Sequence, residues 1–171
     1  MGFLTKLFSG KSEENAKPEE IKTTNSQPNT IYAPFKGTVI PLEQINDGVF
    51  SSGVLGQGIG MYPEEETVYA PFDGKITQVI DTKHAIGILS NDNIELLIHV
   101  GMDTVAMKGK VSEGDSVSCG QKLMTFSKSE IAAAGYPDTT AIIITNTDDF
   151  NKVSTLIEGP VEKGTAVLIT E

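Results

Sequence analysis

A short motif occurs twice in this chain and restricts its fold more than any other feature of the sequence. The two copies are Tyr32-Ala-Pro-Phe-Lys-Gly-Thr-Val39 and Tyr69-Ala-Pro-Phe-Asp-Gly-Lys-Ile76. In each copy a proline precedes a turn, a glycine follows it, and an alternating run typical of a β-strand comes next. The common layout predicts two similar hairpin units related by internal pseudo-symmetry.

The rest of the chain is typical of an all-β protein. It has 171 residues, of which 17 are glycine and 39% are hydrophobic, with no tryptophan. We predict an antiparallel β-sandwich or barrel with an internal pseudo-repeat, whose sheet is completed by strands at Thr140–Thr145 and Thr165–Thr170. One short helix is expected over Ser127–Ala134, because Ser127 and Glu130 form a capping-box pattern.

The N-terminal part of the chain differs in composition from the rest. Residues 11–30 are polar and resemble a linker, so we predict a flexible tail over 1–30 and a folded domain over 31–171. Within the tail, residues 1–10 place four apolar side chains at helical spacing. This segment is either disordered or a short amphipathic stretch in peripheral contact with a membrane, and both interpretations stay open.

Charge and cysteine content exclude several functions. A formal net charge of −10 opposes nucleic-acid binding, whereas it is compatible with a basic protein partner and with simple solubility. The single Cys119 cannot form an internal disulfide and suits a reducing compartment. No apolar run has the length of a membrane span, and the first residues lack the apolar core of a signal peptide. We therefore expect a cytoplasmic protein.

Only two histidines occur, His84 and His99, each in a strand-like run. On the predicted strand Ile94–Val100, side chains alternate, so His99 shares a face with Glu95 and Leu97. One interpretation is structural: His99 is half-buried and bonded to a backbone carbonyl, and His84 is a surface residue that begins a strand.

The other interpretation is chemical, because imidazole is a good nucleophile that is uncharged near neutral pH. Gly101 allows another backbone to approach closely, and Asp103 can orient the His99 imidazole. Thr82 projects on the same face as His84 if the segment is extended. Two imidazoles and a hydroxyl can hold a phosphoryl group, with one nitrogen attacking phosphorus and the other donating to the equatorial oxygens.

Several segments between about Ile31 and the C-terminus resemble the glucose-type enzyme IIA family of the bacterial phosphotransferase system. The element at 97–105, Leu-Ile-His-Val-Gly-Met-Asp-Thr-Val, is highly specific for that family. The other matching segments are Gly56-Gln-Gly-Ile-Gly-Met-Tyr-Pro63, Tyr69-Ala-Pro-Phe-Asp-Gly-Lys-Ile76, Thr82-Lys-His-Ala-Ile-Gly-Ile88 and Ile142-Ile-Ile-Thr-Asn146.

The resemblance implies a phosphotransferase that acts as a phosphocarrier during sugar uptake. It implies that His99 accepts a phosphoryl group from phospho-HPr and passes it to a cysteine on the IIB domain of a glucose-superfamily sugar permease. His84 matches the histidine that stabilises the transferring phosphoryl group. Thr82 and Asp103 match positions that hydrogen-bond the two imidazoles. No cofactor and no metal ion are expected.

The resemblance also implies a docking surface. Val49, Phe50, Val54 and Leu55 match an apolar rim on which family members dock HPr and IIB, although ordinary core packing explains the same residue types. One departure concerns the loop after the active-site strand, which in the family is longer and contains Gly-Glu-Gly-Phe. Here residues 108–111 lead almost directly into Ser112, so a piece of the family's usual rim is missing.

Three alternatives use the same or a related fold. A IIA-like regulatory protein would bind transporters or kinases without passing phosphate on. A zinc peptidase of the lysostaphin type needs two histidines and an aspartate as ligands plus a further histidine, and this chain has only two histidines. A biotinyl-type carrier is suggested by Ala106-Met-Lys108, but the Gly-Asp turn follows this lysine instead of preceding it, which favours a solvated turn lysine at Lys108.

Overall fold

The computed structural model describes residues 26–80, 84–101, 108, 109 and 111–171, and regular structure there is mostly antiparallel β-sheet. One α-helix is present in these residues, together with three single-turn 3-10 helices, and this confirms the all-β prediction. The strands are β1 (Thr30–Tyr32), β2 (Gly37–Pro41), β3 (Gln57–Pro63), β4 (Thr67–Tyr69), β5 (Gly74–Val79), β6 (Ala85–Ser90), β7 (Glu95–Val100), β8 (Lys108–Gly109), β9 (Ser116–Val117), β10 (Lys122–Thr125), β11 (Thr140–Ile144), β12 (Val153–Thr155), β13 (Gly159–Val161) and β14 (Ala166–Thr170); the helices are α1 (Lys128–Ala133) and the 3-10 turns Leu42–Gln44, Phe50–Ser52 and Thr147–Asp149.

The strand order shows the predicted pseudo-symmetry. An eight-stranded sheet runs β13-β2-β3-β11-β7-β6-β5-β9, and two three-stranded sheets run β1-β14-β12 and β4-β10-β8. The first motif copy supplies β1 and β2, and the second supplies β4 and β5. β2 lies between β13 and β3 near one edge of the large sheet, as β5 lies between β9 and β6 near the other. The repeat in the sequence is therefore a repeat in the architecture.

The two motif copies are bonded directly to each other. The Tyr32 N–H donates to the Pro71 carbonyl at 3.0 Å, and the Tyr69 N–H donates to the Pro34 carbonyl at 2.8 Å. A proline has no N–H but keeps its carbonyl as an acceptor. Each copy thus supplies one donor and one acceptor to the other.

The glycine that ends each motif turn is required by close packing of two strands. A Cβ at Gly37 would lie 2.2 Å from the Tyr62 carbonyl oxygen, and a Cβ at Gly74 would lie 2.2 Å from the Leu89 carbonyl oxygen. A side chain at either position would push its strand away from the partner strand of the hairpin. Glycine is therefore needed at the same place in both units.

The two faces of the large sheet are covered by different apolar clusters. On β11, Ile142 and Ile144 belong to the main core, whereas Ala141 and Ile143 belong to a smaller second cluster. Successive side chains of a strand point to opposite faces, so the second cluster lies on the face away from the main core. This second cluster consists of Ile40, Leu42, Ile45, Phe50, Ala141 and Ile143, with Leu97 packed against it. Residues 42–56, between β2 and β3, therefore cover this face.

Three further predictions concern the helix, the two C-terminal strands and Lys108. The helix is confirmed as α1, and the Ser127 hydroxyl accepts the Glu130 N–H at 3.2 Å. The predicted strands at 140–145 and 165–170 agree with β11 and β14 to within one residue at each end. The assignment of Lys108 to a turn is wrong, because its backbone pairs with Thr125 of β10.

The N-terminal boundary involves residues that precede the first strand. The Gln27 N–H donates to the Tyr32 hydroxyl, and the Asn29 N–H donates to Asp92. Residues 1–10 lie outside the described residues, and the division into 1–30 and 31–171 stays a prediction. None of the helices in the described ranges has the length and apolar character needed to cross a bilayer.

We expect Gly74→Ala to destabilise the protein by about 1–3 kcal/mol, the usual cost of forcing an atom into a closely packed position. The added methyl group would meet the Leu89 carbonyl oxygen. Urea denaturation measures the change. Lys75→Ala, at the neighbouring exposed position of β5, is the control and should stay within about 0.5 kcal/mol of wild type. Equal stability of the two variants would contradict the steric explanation.

Candidate functional site

Two adjacent strands bring the two histidines together. His99 lies on β7, and its backbone pairs with Ala85 of β6, directly after His84. The Val100 N–H donates to the His84 carbonyl at 2.8 Å, which ties the segment before β6 to the end of β7. The two imidazole centroids are 4.7 Å apart, with an angle of 77° between the ring planes. Residues that are fifteen positions apart in sequence thus form one edge-to-face pair.

The burial pattern along β7 confirms the predicted faces. Leu96, Ile98 and Val100 are buried in the main core, whereas Glu95 is exposed and Leu97 and His99 are half-buried. Because side chains alternate between the two faces of the strand, His99 lies on the face that carries the second cluster.

The tautomer of His99 is fixed by a backbone carbonyl. His99 Nδ1 lies 2.8 Å from the Gly101 carbonyl oxygen. A carbonyl oxygen can only accept, so Nδ1 carries the proton and Nε2 keeps a free lone pair. Gly101 has φ of 70°, a conformation that L-residues with side chains rarely adopt. The sequence predicted that Gly101 admits another backbone, but its role here is to turn its own carbonyl towards the imidazole.

The ring of Phe50, which lies in residues 42–56, packs against the His99 imidazole. The Phe50 and His99 ring centroids are 4.9 Å apart, with 54° between the planes, and Phe50 is only 8% exposed. Phe50 lies in a 3-10 turn, and the side chain of Asp47 forms hydrogen bonds to the backbone at the start of this turn. The Asp47 carboxylate accepts the N–H groups of Val49, Phe50 and Ser51 at 3.0 to 3.2 Å.

The surroundings of His99 keep its imidazole neutral. Burial lowers the pKa of His99 below its ordinary value of 6.5, and the nearby charge of His84 lowers it further. The hydrogen bond to Gly101 and the negative charge of Asp47 raise the pKa, but they do not outweigh these two effects. A neutral imidazole with a free Nε2 is the nucleophilic form of histidine.

The predicted rim divides into two parts. Val49, Val54 and Leu55 are exposed by 53%, 82% and 40%, as a docking surface requires. Phe50 is buried in the second cluster and contacts His99, so it is a wall of the site and not part of an exposed rim. Core packing therefore describes Phe50, whereas docking on the three exposed residues stays a prediction.

Two predicted site residues cannot be compared with the structure. Thr82 and Asp103 lie outside the described residues, so their bonds to the imidazoles remain predictions. Asp47 was not among the predicted site residues, although an Asp before a Gly is a common turn signal and its carboxylate often accepts nearby N–H groups. Within the described ranges, no three His, Cys, Asp or Glu side chains lie close enough together to hold a metal ion.

The geometry defines a class of protein: a duplicated β-sandwich with a half-buried histidine, whose pKa is lowered and whose Nδ1 bonds a backbone carbonyl, beside a second histidine. Comparison with known proteins gives the family. The family model described as phosphoenolpyruvate-dependent sugar phosphotransferase system, EIIA 1, matches residues 29–150. The chain belongs to this EIIA family.

Similar proteins include both single-domain and multidomain members. The glucose-specific EIIA component of Bacillus cereus is 41% identical over 140 residues, which cover 79% of this chain and 85% of that protein. The β-glucoside-specific EIIBCA component of Bacillus subtilis is 45% identical over 126 residues, which cover 71% of this chain and 21% of that protein. The chain spans only 21% to 27% of the length of the EIIBCA and EIICBA relatives.

A solved structure shows the same fold. The glucose permease IIA from Mycoplasma capricolum is 31% identical and superposes with a TM-score of 0.77, covering 84% of this chain and 96% of that one. The fold implied by the resemblance in the sequence is therefore confirmed.

We expect His84→Gln to raise the pKa of His99, because it removes the positive charge that lowers this pKa from 4.7 Å away. Titration of the His99 imidazole signals by NMR measures the pKa, and nitrogen shifts should report a proton on Nδ1 in the neutral form. Lys152→Gln is the control, since it removes a positive charge that does not contribute to the His99 shift. A His99 pKa above 6.5 in the wild type, or a neutral form protonated on Nε2, would contradict this description.

The lowered pKa of His99 also predicts how stability depends on pH. As the pH falls, His99 of the unfolded chain takes up a proton near pH 6.5, whereas His99 of the folded protein does so only at a lower pH. The free energy of unfolding therefore decreases from above pH 6.5 down through the lower folded pKa. His99→Gln should remove this part of the decrease. Urea denaturation across the range measures it, and identical pH profiles for the two proteins would show that His99 does not titrate as described.

Proposed function

We propose that this chain is a cytoplasmic phosphocarrier that receives a phosphoryl group on His99 from phospho-HPr and transfers it to a IIB domain. The observation that carries the proposal is the fixed tautomer: Nδ1 of His99 is engaged by the Gly101 carbonyl, which leaves Nε2 as the nucleophile. Membership of the EIIA family supports the same reaction class.

In the first step, the Nε2 lone pair attacks phosphorus. The new N–P bond forms as the bond between phosphorus and its carrier atom in HPr breaks, and the departing HPr atom keeps the electron pair. No proton has to leave Nε2, because the proton is on Nδ1. As the imidazole becomes positively charged, the Gly101 carbonyl stabilises it through the Nδ1 proton.

In the second step, a cysteine thiolate of IIB attacks the same phosphorus. The N–P bond to His99 breaks, and its electron pair returns to Nε2, which restores the neutral imidazole. His84, whose ring centroid is 4.7 Å from that of His99, donates an N–H to the equatorial phosphoryl oxygens where negative charge accumulates. Thr82 and Asp103 complete the proposal as hydrogen-bond partners of the imidazole pair. Because the Gly101 carbonyl holds Nδ1 of His99 and Nε2 bonds to phosphorus, these two residues act on His84.

Docking of both partners uses the exposed apolar side chains beside the site. Val49, Val54 and Leu55 lie in residues 42–56, the segment that also holds the Phe50 wall against His99. Clustered exposed apolar groups typically mark an interaction surface. The net charge of −10 favours basic surfaces on the partners through electrostatic steering.

The IIB partner is proposed to belong to a sugar permease of the glucose superfamily. Relatives carry names with glucose, glucoside and β-glucoside specificity, and in the EIIBCA and EIICBA proteins the matching region is one part of a longer chain. The sugar itself is selected by the permease, so this chain would serve permeases of more than one specificity. Binding to regulated transporters or kinases would use the same face.

The test is incubation with phosphoenolpyruvate, enzyme I and HPr, followed by intact-mass measurement and phosphorus NMR. Wild type should gain one acid-labile phosphoryl group, and His99→Ala should gain none. His84→Ala should still accept the group but transfer it more slowly to a IIB domain, because the stabilising N–H is lost. Since these are the only two histidines in the chain, each variant is the control for the other.

Two results would overturn the proposal. One is a wild-type protein that stays unmodified while HPr is phosphorylated, and this result together with binding of HPr would favour the purely regulatory alternative. The other is phosphorylation of His99→Ala, which would place the acceptor elsewhere.

A further inference from the structure

The Asp47 carboxylate accepts three backbone hydrogen bonds within residues 42–56. One carboxylate oxygen accepts the N–H groups of Val49 and Ser51, both at 3.2 Å, and the other accepts the Phe50 N–H at 3.0 Å. Three consecutive N–H groups at the start of the 3-10 turn Phe50–Ser52 are thereby bound by one side chain. Without it these donors would have no partner within the turn.

The turn held by Asp47 carries the ring that packs on His99. Phe50 is buried in the second cluster and its centroid is 4.9 Å from the His99 imidazole. The neighbouring Val49 and Val54 are exposed by 53% and 82%, so apolar packing holds only one side of the turn. The backbone bonds to Asp47 are therefore a principal restraint on where the Phe50 ring lies.

We propose that Asp47 is a positioning residue for phosphoryl transfer: its carboxylate fixes the 3-10 turn, and the turn sets the Phe50 ring as the wall against which the His99 imidazole is held. The proposal rests on the proposed function, because it assigns Asp47 to the reaction at His99. It assigns Asp47 no contact with substrate or partner.

The carboxylate is suited to this role because it stays ionised. Burial raises the pKa of Asp47, but the hydrogen bonds from Phe50, Ser51 and Val49 outweigh burial and lower the pKa below its usual value. An ionised carboxylate is acceptor-only, so it can bind all three donors at once. A protonated acid would turn one oxygen into a donor directed at an N–H group.

Three variants separate the hydrogen bonds that Asp47 makes to the 3-10 turn from its negative charge. Asp47→Ala removes both. Asp47→Asn keeps one oxygen acceptor without the charge. Glu43→Gln removes one exposed negative charge from the same segment without touching the turn Phe50–Ser52. All three are made in the full chain, and circular dichroism establishes that each is folded.

The first readout is the NMR shift of the His99 imidazole C–H protons in the unphosphorylated protein. An aromatic ring 4.9 Å away shifts these signals by its ring current, and Phe50→Ala gives the value without the ring. In Asp47→Ala the signals should move towards the Phe50→Ala values, in Asp47→Asn they should move less, and in Glu43→Gln they should stay at the wild-type position. Unmoved signals in Asp47→Ala would overturn the proposal.

The second readout is the rate of phosphoryl acceptance from phospho-HPr. Asp47→Ala should slow it by about 10-fold or more, since small misplacements of reacting groups have effects of this size. Asp47→Asn and Asp47→Ala both remove the charge that raises the His99 pKa. Made in Phe50→Ala, the two substitutions should therefore give the same rate, because the hydrogen bonds of Asp47 act through Phe50. A lower rate for Asp47→Ala than for Asp47→Asn in Phe50→Ala would show that the two residues act independently, for example through direct contact of Asp47 with HPr, and would overturn the proposal.

The two readouts keep this proposal separate from the proposed function. If wild type accepts no phosphoryl group, the phosphocarrier function fails, and with it the role of Asp47 in transfer, whereas the NMR shifts still report whether Asp47 positions Phe50. If wild type accepts the group normally and Asp47→Ala leaves both readouts unchanged, only the role of Asp47 fails.

Discussion

The exchange of backbone hydrogen bonds between the two Tyr-Ala-Pro corners is the interaction on which the rest of the architecture depends. Tyr32 donates to Pro71 and Tyr69 donates to Pro34, and the alanines that follow both tyrosines are 3% exposed. Buried backbone groups need partners. Here each corner gives the other one donor and one acceptor, while the N–H groups of Ala33 and Ala70 donate to Thr165 and Gln121. The two hairpin units are therefore joined directly at these corners, and the large sheet has a symmetric strand order around β11 and β7.

The functional site lies where this symmetry is broken. His99 sits at the centre of the large sheet, between Ala141 of β11 and Ala85 of β6. These two small residues leave space above the sheet on both sides of the imidazole. Phe50 fills part of that space and the His84 ring lies within 4.7 Å. The large sheet is symmetric in strand order, and residues 42–56 make its two faces different by covering the face that carries His99.

The sequence predicted the scaffold well because the scaffold depends on local signals. The repeated motif, the alternation along β7 and the Ser127 cap each act over a few residues, and the structure confirms all three. The second cluster was not predicted, because the stretch 42–56 follows neither strand nor α-helix periodicity. In its 3-10 turn the side-chain directions repeat every three residues, so Val49 is exposed while the adjacent Phe50 is buried. Residue type alone gave these two positions the same description.

For His99, the two interpretations that the sequence left open describe the same atoms. The carbonyl bond expected of a structural histidine is present, and it is the bond that leaves Nε2 free to react. It depends on the φ of 70° at Gly101, and a backbone angle of one residue has no signature in the sequence beyond the glycine itself. A carbonyl also differs from a carboxylate in its effect on the pKa of the imidazole. It carries no net charge, so it fixes the proton on Nδ1 without the large increase in pKa that a carboxylate partner brings. Burial can then keep the imidazole neutral, which is the state that the proposed attack on phosphorus requires.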